Sequence, residues 1–351
     1  MKTVALGNSG LMVSEVSLGT MTFGNQTDLA DACIQMDRAV AAGITFLDCA
    51  EMYPVNPVRA ETAGRSEEFI GTWLSKRGKR DDLQLATKVS GPGPRLRPDG
   101  FNGAVITSAI EDSLRRMQTD VIDLYQLHWP QRGGYAFRQN WSYDPSGQVK
   151  SDTIAHMEDV LGALMAAVQA GKIRAIGLSN ETAWGTTRWV DVADRMGAPR
   201  MVTIQNEYSL LDRQFDTDLA EVSVNEDVTL LAYSPLAAGL LTGKYADGQL
   251  PKASRAAVDV AHDGPGNLSG RITARSMVAV AAYQALADEF GLDLIHMAIA
   301  FTRQRPFKVI PIIGATNVGQ LDHLLAGLDL RLSDDQLARI DAQHRDHAMT
   351  Y

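Results

Sequence analysis

The chain is short of the features that mark several large protein classes. Only two cysteines occur in 351 residues, Cys33 and Cys49, so no disulfide framework holds it. The longest apolar run, Val160 to Val168, is about nine residues, far below the roughly 20 that a membrane-spanning helix requires. No apolar segment follows Met1, which reads as the absence of a secretory signal and makes the cytoplasm the expected location. Positive charge is scarce. Against 42 Asp and Glu there are 33 Lys and Arg, a formal net charge of −9, whereas a nucleic-acid binder needs a basic face to neutralise phosphates. No Pro-, Gly- or Ser-rich tract splits the sequence, so 1–351 reads as one domain.

Familiar motifs are missing too. Gly91-Pro92-Gly93 follows an apolar run, but Leu96 stands where a dinucleotide fingerprint needs its third glycine, and Pro92 and Pro94 oppose a helix start. The stretch Gly239 to Lys244 is one residue too short for a phosphate-binding P-loop. No paired cysteines, His-Glu zinc helix or G-x-S-x-G elbow occur, so no metal is expected.

What is present is an alternation. Short apolar, β-branched runs lie at Glu15–Leu18, Thr45–Leu47, Leu83–Val89, Val121–Leu127, Ile173–Leu178, Met201–Gln205, Val228–Tyr233 and Lys308–Ile313. They read as strands buried on both faces. Between them, segments such as Leu29–Ala42, Gly103–Met117, Ile154–Ala170 and Ala274–Phe290 carry apolar residues at three- and four-residue spacing. Such alternation implies parallel strands with right-handed crossovers, either a doubly wound sheet or a (β/α)8 TIM barrel, and eight strands favour the barrel. A small β-hairpin turning at Asn8-Ser9-Gly10 precedes it. Long loops are expected at Gln131–Asp152 and Tyr245–Gly270, after strands 4 and 7. Ser333 reads as the cap of a last helix, and residues 349–351 as frayed.

Polar residues stand where these strands end. Asp48 closes the second, Lys88 the third and His128 the fourth, with Tyr53 shortly after Asp48 and Glu51 between them as a rim residue. In a barrel these ends meet on one rim. A tyrosine alone is a weak acid at neutral pH, but a neighbouring ammonium stabilises its phenolate, and a carboxylate holds that ammonium in place. Tyr53 with Lys88, Asp48 and His128 therefore suits protonation of a carbonyl oxygen while a hydride reaches the carbon, which requires a hydride donor. Cys49 reads as a small buried hydrophobe. Trp129, Trp141 and Phe23 are candidates for a substrate-pocket wall, packing being an equal account of Phe23.

These residues belong to segments that resemble the aldo-keto reductases: Leu18 to Gly24, Asp48 to Tyr53, Lys88, Asp123 to Trp129, Gly171 to Asn180, Gln205-Asn206, Tyr233 to Leu236, Leu241 to Tyr245 and Gly314 to Asn317. The likeness spans nearly the whole chain. It is strongest to the bacterial Tas-type branch, through Glu51-Met52-Tyr53-Pro54 and His128 to Arg132, and more distant to the potassium-channel β-subunits. The resemblance implies a (β/α)8 barrel that binds NADPH, with Tyr53 as general acid, Lys88 and Asp48 tuning it and His128 orienting the carbonyl. It implies that Ser179, Asn180 and Gln205 hold the nicotinamide carboxamide and that Tyr233 stacks on the ring. Ser234, Pro235, Leu236, Gly239 and Lys244 would line the diphosphate path. Arg255, Gly314, Thr316 and Gln320 would take the adenosine phosphate end. The expected partner is a small carbonyl compound, with no nucleic acid and no membrane. Two alternatives stand beside this reductase. One is a cofactor-sensing, partner-binding barrel with slow turnover, against which His128 counts because the channel relatives lack it. The other is a dehydrogenase running the same site in the oxidative direction.

Overall fold

A strand whose two faces are both apolar must be covered on both sides, and the eight such strands solve this by closing on one another. In the computed structural model, which describes residues 1–351 apart from the side chain of residue 247, they form a closed parallel barrel. Its strands are β3 (Ser17–Gly19), β4 (Phe46–Asp48), β5 (Gln84–Val89), β6 (Ile122–Leu127), β7 (Ile173–Ser179), β8 (Met201–Glu207), β9 (Thr229–Tyr233) and β10 (Val309–Ile313). β10 pairs with β3 through Ile312–Ser17 and Ile313–Leu18 to complete the ring. Among the described residues no helix is long and apolar enough to cross a membrane.

The hairpin that precedes the barrel, β1 (Thr3–Ala5) and β2 (Met12–Ser14), plugs its lower mouth. Leu6 and Val13 are fully buried there against Phe46, Leu124 and Leu231. Gly7 makes the plug fit. Its φ is +53°, its N–H donates to Thr229 Oγ1 at 2.9 Å, and a Cβ would fall 2.6 Å from the Val202 carbonyl oxygen.

Around the barrel lie α1 (Leu29–Ala41), α2 (Arg65–Arg77), α3 (Gly103–Met117), α4 (Lys150–Gln169), α5 (Ala183–Met196), α6 (Asp218–Glu226), α7 (Arg255–Val260), α8 (Ala274–Glu289), α9 (Leu294–Arg303), α10 (Val318–Ala326) and α11 (Asp334–Asp346). Their starts are marked by side chains that satisfy free N–H groups. Asn102 accepts from Val105 and Thr182 from Gly185, while Ser333 and Gln336 form a reciprocal box at α11.

Three expectations are corrected. α4 begins at Lys150, four residues before the apolar periodicity that starts at Ile154, so the loop after β6 is shorter than expected. The loop after β9 is not wholly irregular: Ser254 caps α7, a helix of six residues, too short to show a period. The C-terminal residues are not frayed. Thr350 and Tyr351 are buried, with Thr350 Oγ1 donating to the Leu211 carbonyl at 2.9 Å and Tyr351 Oη to Glu207 at 3.2 Å.

Candidate active site

The side chains at the strand ends do converge. Asp48 is the last residue of β4, and Lys88 lies one residue before the end of β5. Lys88 is fully buried and its ammonium has three neighbours: Asp48 Oδ2 at 2.7 Å, the Cys49 carbonyl at 2.6 Å and the Tyr53 hydroxyl at 3.4 Å. A lone buried ammonium is costly, and this set of oxygens is what keeps it charged. Burial works to lower the Lys88 pKa, but the Asp48 carboxylate and Tyr53 outweigh it, and the group is held above its ordinary value.

Asp48 is fixed from its other side. Its Oδ1 accepts from Gln205 Nε2 at 2.8 Å and Gln126 Nε2 at 3.3 Å, and the two amides meet at 3.3 Å. Gln126, inside β6, was not found from the sequence. Its one signal is a polar side chain within a strand buried on both faces, a signal it shares with Asp123.

Tyr53 is 8% exposed, in a turn just beyond β4. Burial pushes its phenol above the ordinary value, Lys88 pulls it down, and Asp48 and Cys49 push it up again. The net direction is upward, so the ammonium moderates the acid without turning Tyr53 into a phenolate. His128 meets Tyr53 edge-on, ring centres 5.8 Å apart. Burial, reinforced by Lys88, holds it well below the ordinary imidazole value, so it is uncharged at neutral pH. His128 Nδ1 is buried and has no hydrogen-bond partner within the chain. The Cys49 thiol is pushed up by burial, which makes it a packed, unreactive group.

The rim residues lock together beside this cluster. Ser179 Oγ donates to the Gln205 carbonyl at 2.8 Å. Asn180, with φ of 53°, donates to the His128 carbonyl at 2.9 Å and accepts from Tyr233 Oη at 2.8 Å. Glu51 accepts from Ser90 N–H at 2.7 Å and from Arg97 through both oxygens at 2.6 Å. Trp129 lies against Gly91, donates to the Pro92 carbonyl at 3.0 Å, and with Met52, Val58, Leu96 and Arg97 walls a largely apolar cavity. Phe23, by contrast, is wholly inside the core cluster that also holds Tyr53. Trp141 is 58% exposed, stacked by Arg275 at 5.3 Å, and lines neither this cavity nor the cleft between Phe137 and Tyr233.

The segment after β9 has the chemistry of an anion cradle. Ser234, Ala237, Ala238 and Gly239 all have positive φ, which coils Ser234-Pro235-Leu236 into a tight turn. A Cβ on Gly239 would come 3.2 Å from Lys244 Nζ, so the glycine leaves the ammonium room. Lys244 is held below its ordinary pKa by burial, and among the described residues no carboxylate forms an ion pair with it. Arg255 is half-buried at the start of α7. Its guanidinium is pushed down to about 10 by burial and then by Arg271. Two cations, each held below its ordinary pKa by burial, fit the phosphates of a nucleotide cofactor. At the start of α10, Gln320 Oε1 accepts from both the N–H and the hydroxyl of Thr316, at 3.0 and 3.1 Å, while Gly314 is exposed.

A closed parallel barrel with buried Asp, Lys, Tyr and His at its C-terminal rim defines a class of oxidoreductase scaffold, and sequence comparison agrees with it. Residues 15–345 match the family model described as "Aldo/keto reductase family". The chain is 47% identical to the protein tas of Escherichia coli (strain K12), over 96% of each chain. It is 30% identical to the aldo-keto reductase YhdN of Bacillus subtilis (strain 168), over 96% of this chain and 92% of that one. It is also 29% identical to a probable voltage-gated potassium channel subunit beta of Arabidopsis thaliana, over 93% and 90%. The chain belongs to the aldo/keto reductase family.

Proposed function

We propose that this protein reduces aldehyde or ketone carbonyls to alcohols with NADPH, and that Tyr53 is the general acid. The observation that carries the reading is the buried chain from Asp48 through Lys88 to Tyr53, at 2.7 and 3.4 Å, at the C-terminal rim of the barrel. NADPH, when bound, supplies the hydride. Everything else falls to the chain's own groups. Tyr53 holds the proton at its phenol oxygen. Lys88 lowers the cost of the phenolate left behind, and Asp48 keeps that ammonium in place. Uncharged His128 orients the carbonyl oxygen by hydrogen bonding. Trp129 and the apolar residues beside it exclude water.

For the cofactor, Ser179, Asn180 and Gln205 are assigned to the carboxamide and Tyr233 to the face of the ring. Ser234, Pro235, Leu236, Gly239 and Lys244 are assigned to the diphosphate. Arg255, Gly314, Thr316 and Gln320 are assigned to the adenosine phosphate, where the charge of Arg255 favours NADPH over NADH. The test is a fluorescence titration with each nucleotide, followed by a carbonyl panel including 4-nitrobenzaldehyde and methylglyoxal. Tight NADPH binding with loss of nicotinamide absorbance supports the proposal. Tight binding without turnover moves the reading to a cofactor sensor.

A further inference from the structure

On the outer wall of the barrel, away from the Lys88 cluster, the start of α9 faces the end of α10. Asp293 caps α9, His296 lies in its first turn, and His323 lies in the last turn of α10. Nitrogen or oxygen atoms of these three side chains all lie within 4.8 Å of one another. We propose that Asp293, His296 and His323 form a binding site for a divalent transition-metal cation of the zinc type, clipping the two helices together.

Three features support a built site over a chance surface pair. Asp293 Oδ1 accepts from the N–H groups of Ile295 and His296, at 2.7 and 3.2 Å. That fixes the carboxylate and leaves Oδ2 for the cluster, 3.1 Å from His323 Nε2. His296 Nε2 lies 2.8 Å from the His323 carbonyl oxygen. A carbonyl only accepts, so Nε2 carries the proton and the lone pair resides on Nδ1. An imidazole whose other nitrogen donates to a backbone carbonyl is the usual state of a metal-ligating histidine. The third feature is the seat of that ring. A Cβ at Gly327 would fall 2.2 Å from His296 Cγ and Cδ2, so the glycine after α10 admits the imidazole. The two rings lie face to face, 4.9 Å between centres.

Two imidazole nitrogens and one carboxylate oxygen suit zinc, nickel or cobalt better than magnesium or calcium, which prefer all-oxygen sites. Bonds of about 2.1 Å imply ligand separations of about 3.4 Å in a tetrahedron, so Asp293 Oδ2 and His323 Nε2, at 3.1 Å, stay nearly in place while any pair as far apart as 4.8 Å draws in by roughly an ångström. Asp293 and His323 are exposed and free to do so, and the open side leaves a position for water. The sequence shows no such site because its histidines are 27 residues apart and share no local motif. Gln320 lies one turn before His323, so the cation site adjoins the proposed adenosine end of the cofactor, and the titration is made without nucleotide.

The experiment is a titration of chelator-stripped protein with zinc against a chromophoric chelator, repeated with cobalt to read its tetrahedral absorption bands. One zinc per chain and a higher unfolding temperature with zinc are expected. Asp293→Asn keeps the helix cap but removes the charge, and His323→Gln alters an exposed group, so both variants should fold. Each is expected to weaken zinc binding at least tenfold and to abolish the thermal shift, whereas His262→Ala changes neither. Failure of the stripped wild-type protein to take up zinc overturns the proposal. So does uptake that survives both ligand substitutions, which would place the ion elsewhere.

Discussion

The Lys88 ammonium donates to the Asp48 carboxylate across 2.7 Å, with the two side chains 0% and 3% exposed. Each group makes the other's burial tolerable, and the pair sits within reach of the Tyr53 hydroxyl.

Breaking that pair from either side should differ in stability but agree in activity. Asp48→Asn leaves a buried ammonium without its counter-charge, an expected loss of about 3–5 kcal/mol in urea unfolding. Lys88→Met removes the charge and leaves Asp48 with its two amide donors, so a smaller loss is expected. Both should lower kcat by about 100-fold or more, because Tyr53 loses its tuning group. Equal kcat in Lys88→Met and wild type would remove Lys88 from the mechanism.

Tyr53→Phe should abolish most carbonyl reduction while NADPH titrates as in wild type. The pH profile of the wild-type enzyme carries the same point. Burial holds the Tyr53 phenol above 10 and His128 well below 6.5. Reduction should therefore run level through neutral pH, with no inflection near 6.5 and a fall only in strong alkali. A break in kcat near pH 6.5 would show that His128 titrates during the cycle.

His128 also sets an acid sensitivity. Its folded pKa is depressed, so below pH 6.5 the unfolded chain binds a proton that the folded chain does not. Stability should fall with acid by about 1.4 kcal/mol per pH unit from this group, until pH reaches the folded pKa. Replacing His128 with Gln should reduce the loss of unfolding free energy between about pH 6.5 and 5.5, read from urea unfolding, by about 1 kcal/mol, because the unfolded imidazole is only half protonated at the upper limit. An unchanged loss would mean that His128 is charged in the fold.

The barrel and the clustering of Asp48, Tyr53, Lys88 and His128 were legible because both rest on patterns local in sequence. Doubly apolar strands alternate with amphipathic helices, and polar residues stand at strand ends. What escaped rests on distant pairing. Gln126 matters because it meets Asp48 across the barrel, and Glu207 because three segments far apart in sequence converge on it. Trp141 was proposed for the pocket from its place in a long loop, but the position of a ring depends on the path of that loop, and here Arg275 meets it on the surface. Tyr351 looked free as a chain end, yet a buried carboxylate draws it in.

That carboxylate, Glu207 at the end of β8, carries the last prediction. It accepts from Arg271 at 2.6 and 2.7 Å, from Arg138 at 3.2 Å and from Tyr351 at 3.2 Å. Burial pushes its pKa up, but the two guanidinium groups prevail and hold it below the usual carboxylate range. Arg138 belongs to the loop after β6, Arg271 to the loop after β9, and Tyr351 to the C-terminal segment. One residue therefore ties three segments over the mouth of the barrel. Glu207→Gln keeps the size and removes the charge, leaving buried Arg271 and half-buried Arg138 without their shared carboxylate. An expected loss of about 3–5 kcal/mol should accompany faster proteolysis within both loops and at the C-terminus. The same variant should release NADPH faster, since the proposed Lys244 and Arg255 contacts lie in the loosened loop. Wild-type protection of both loops in Glu207→Gln would show that each loop is held by its own packing and that the shared carboxylate is incidental.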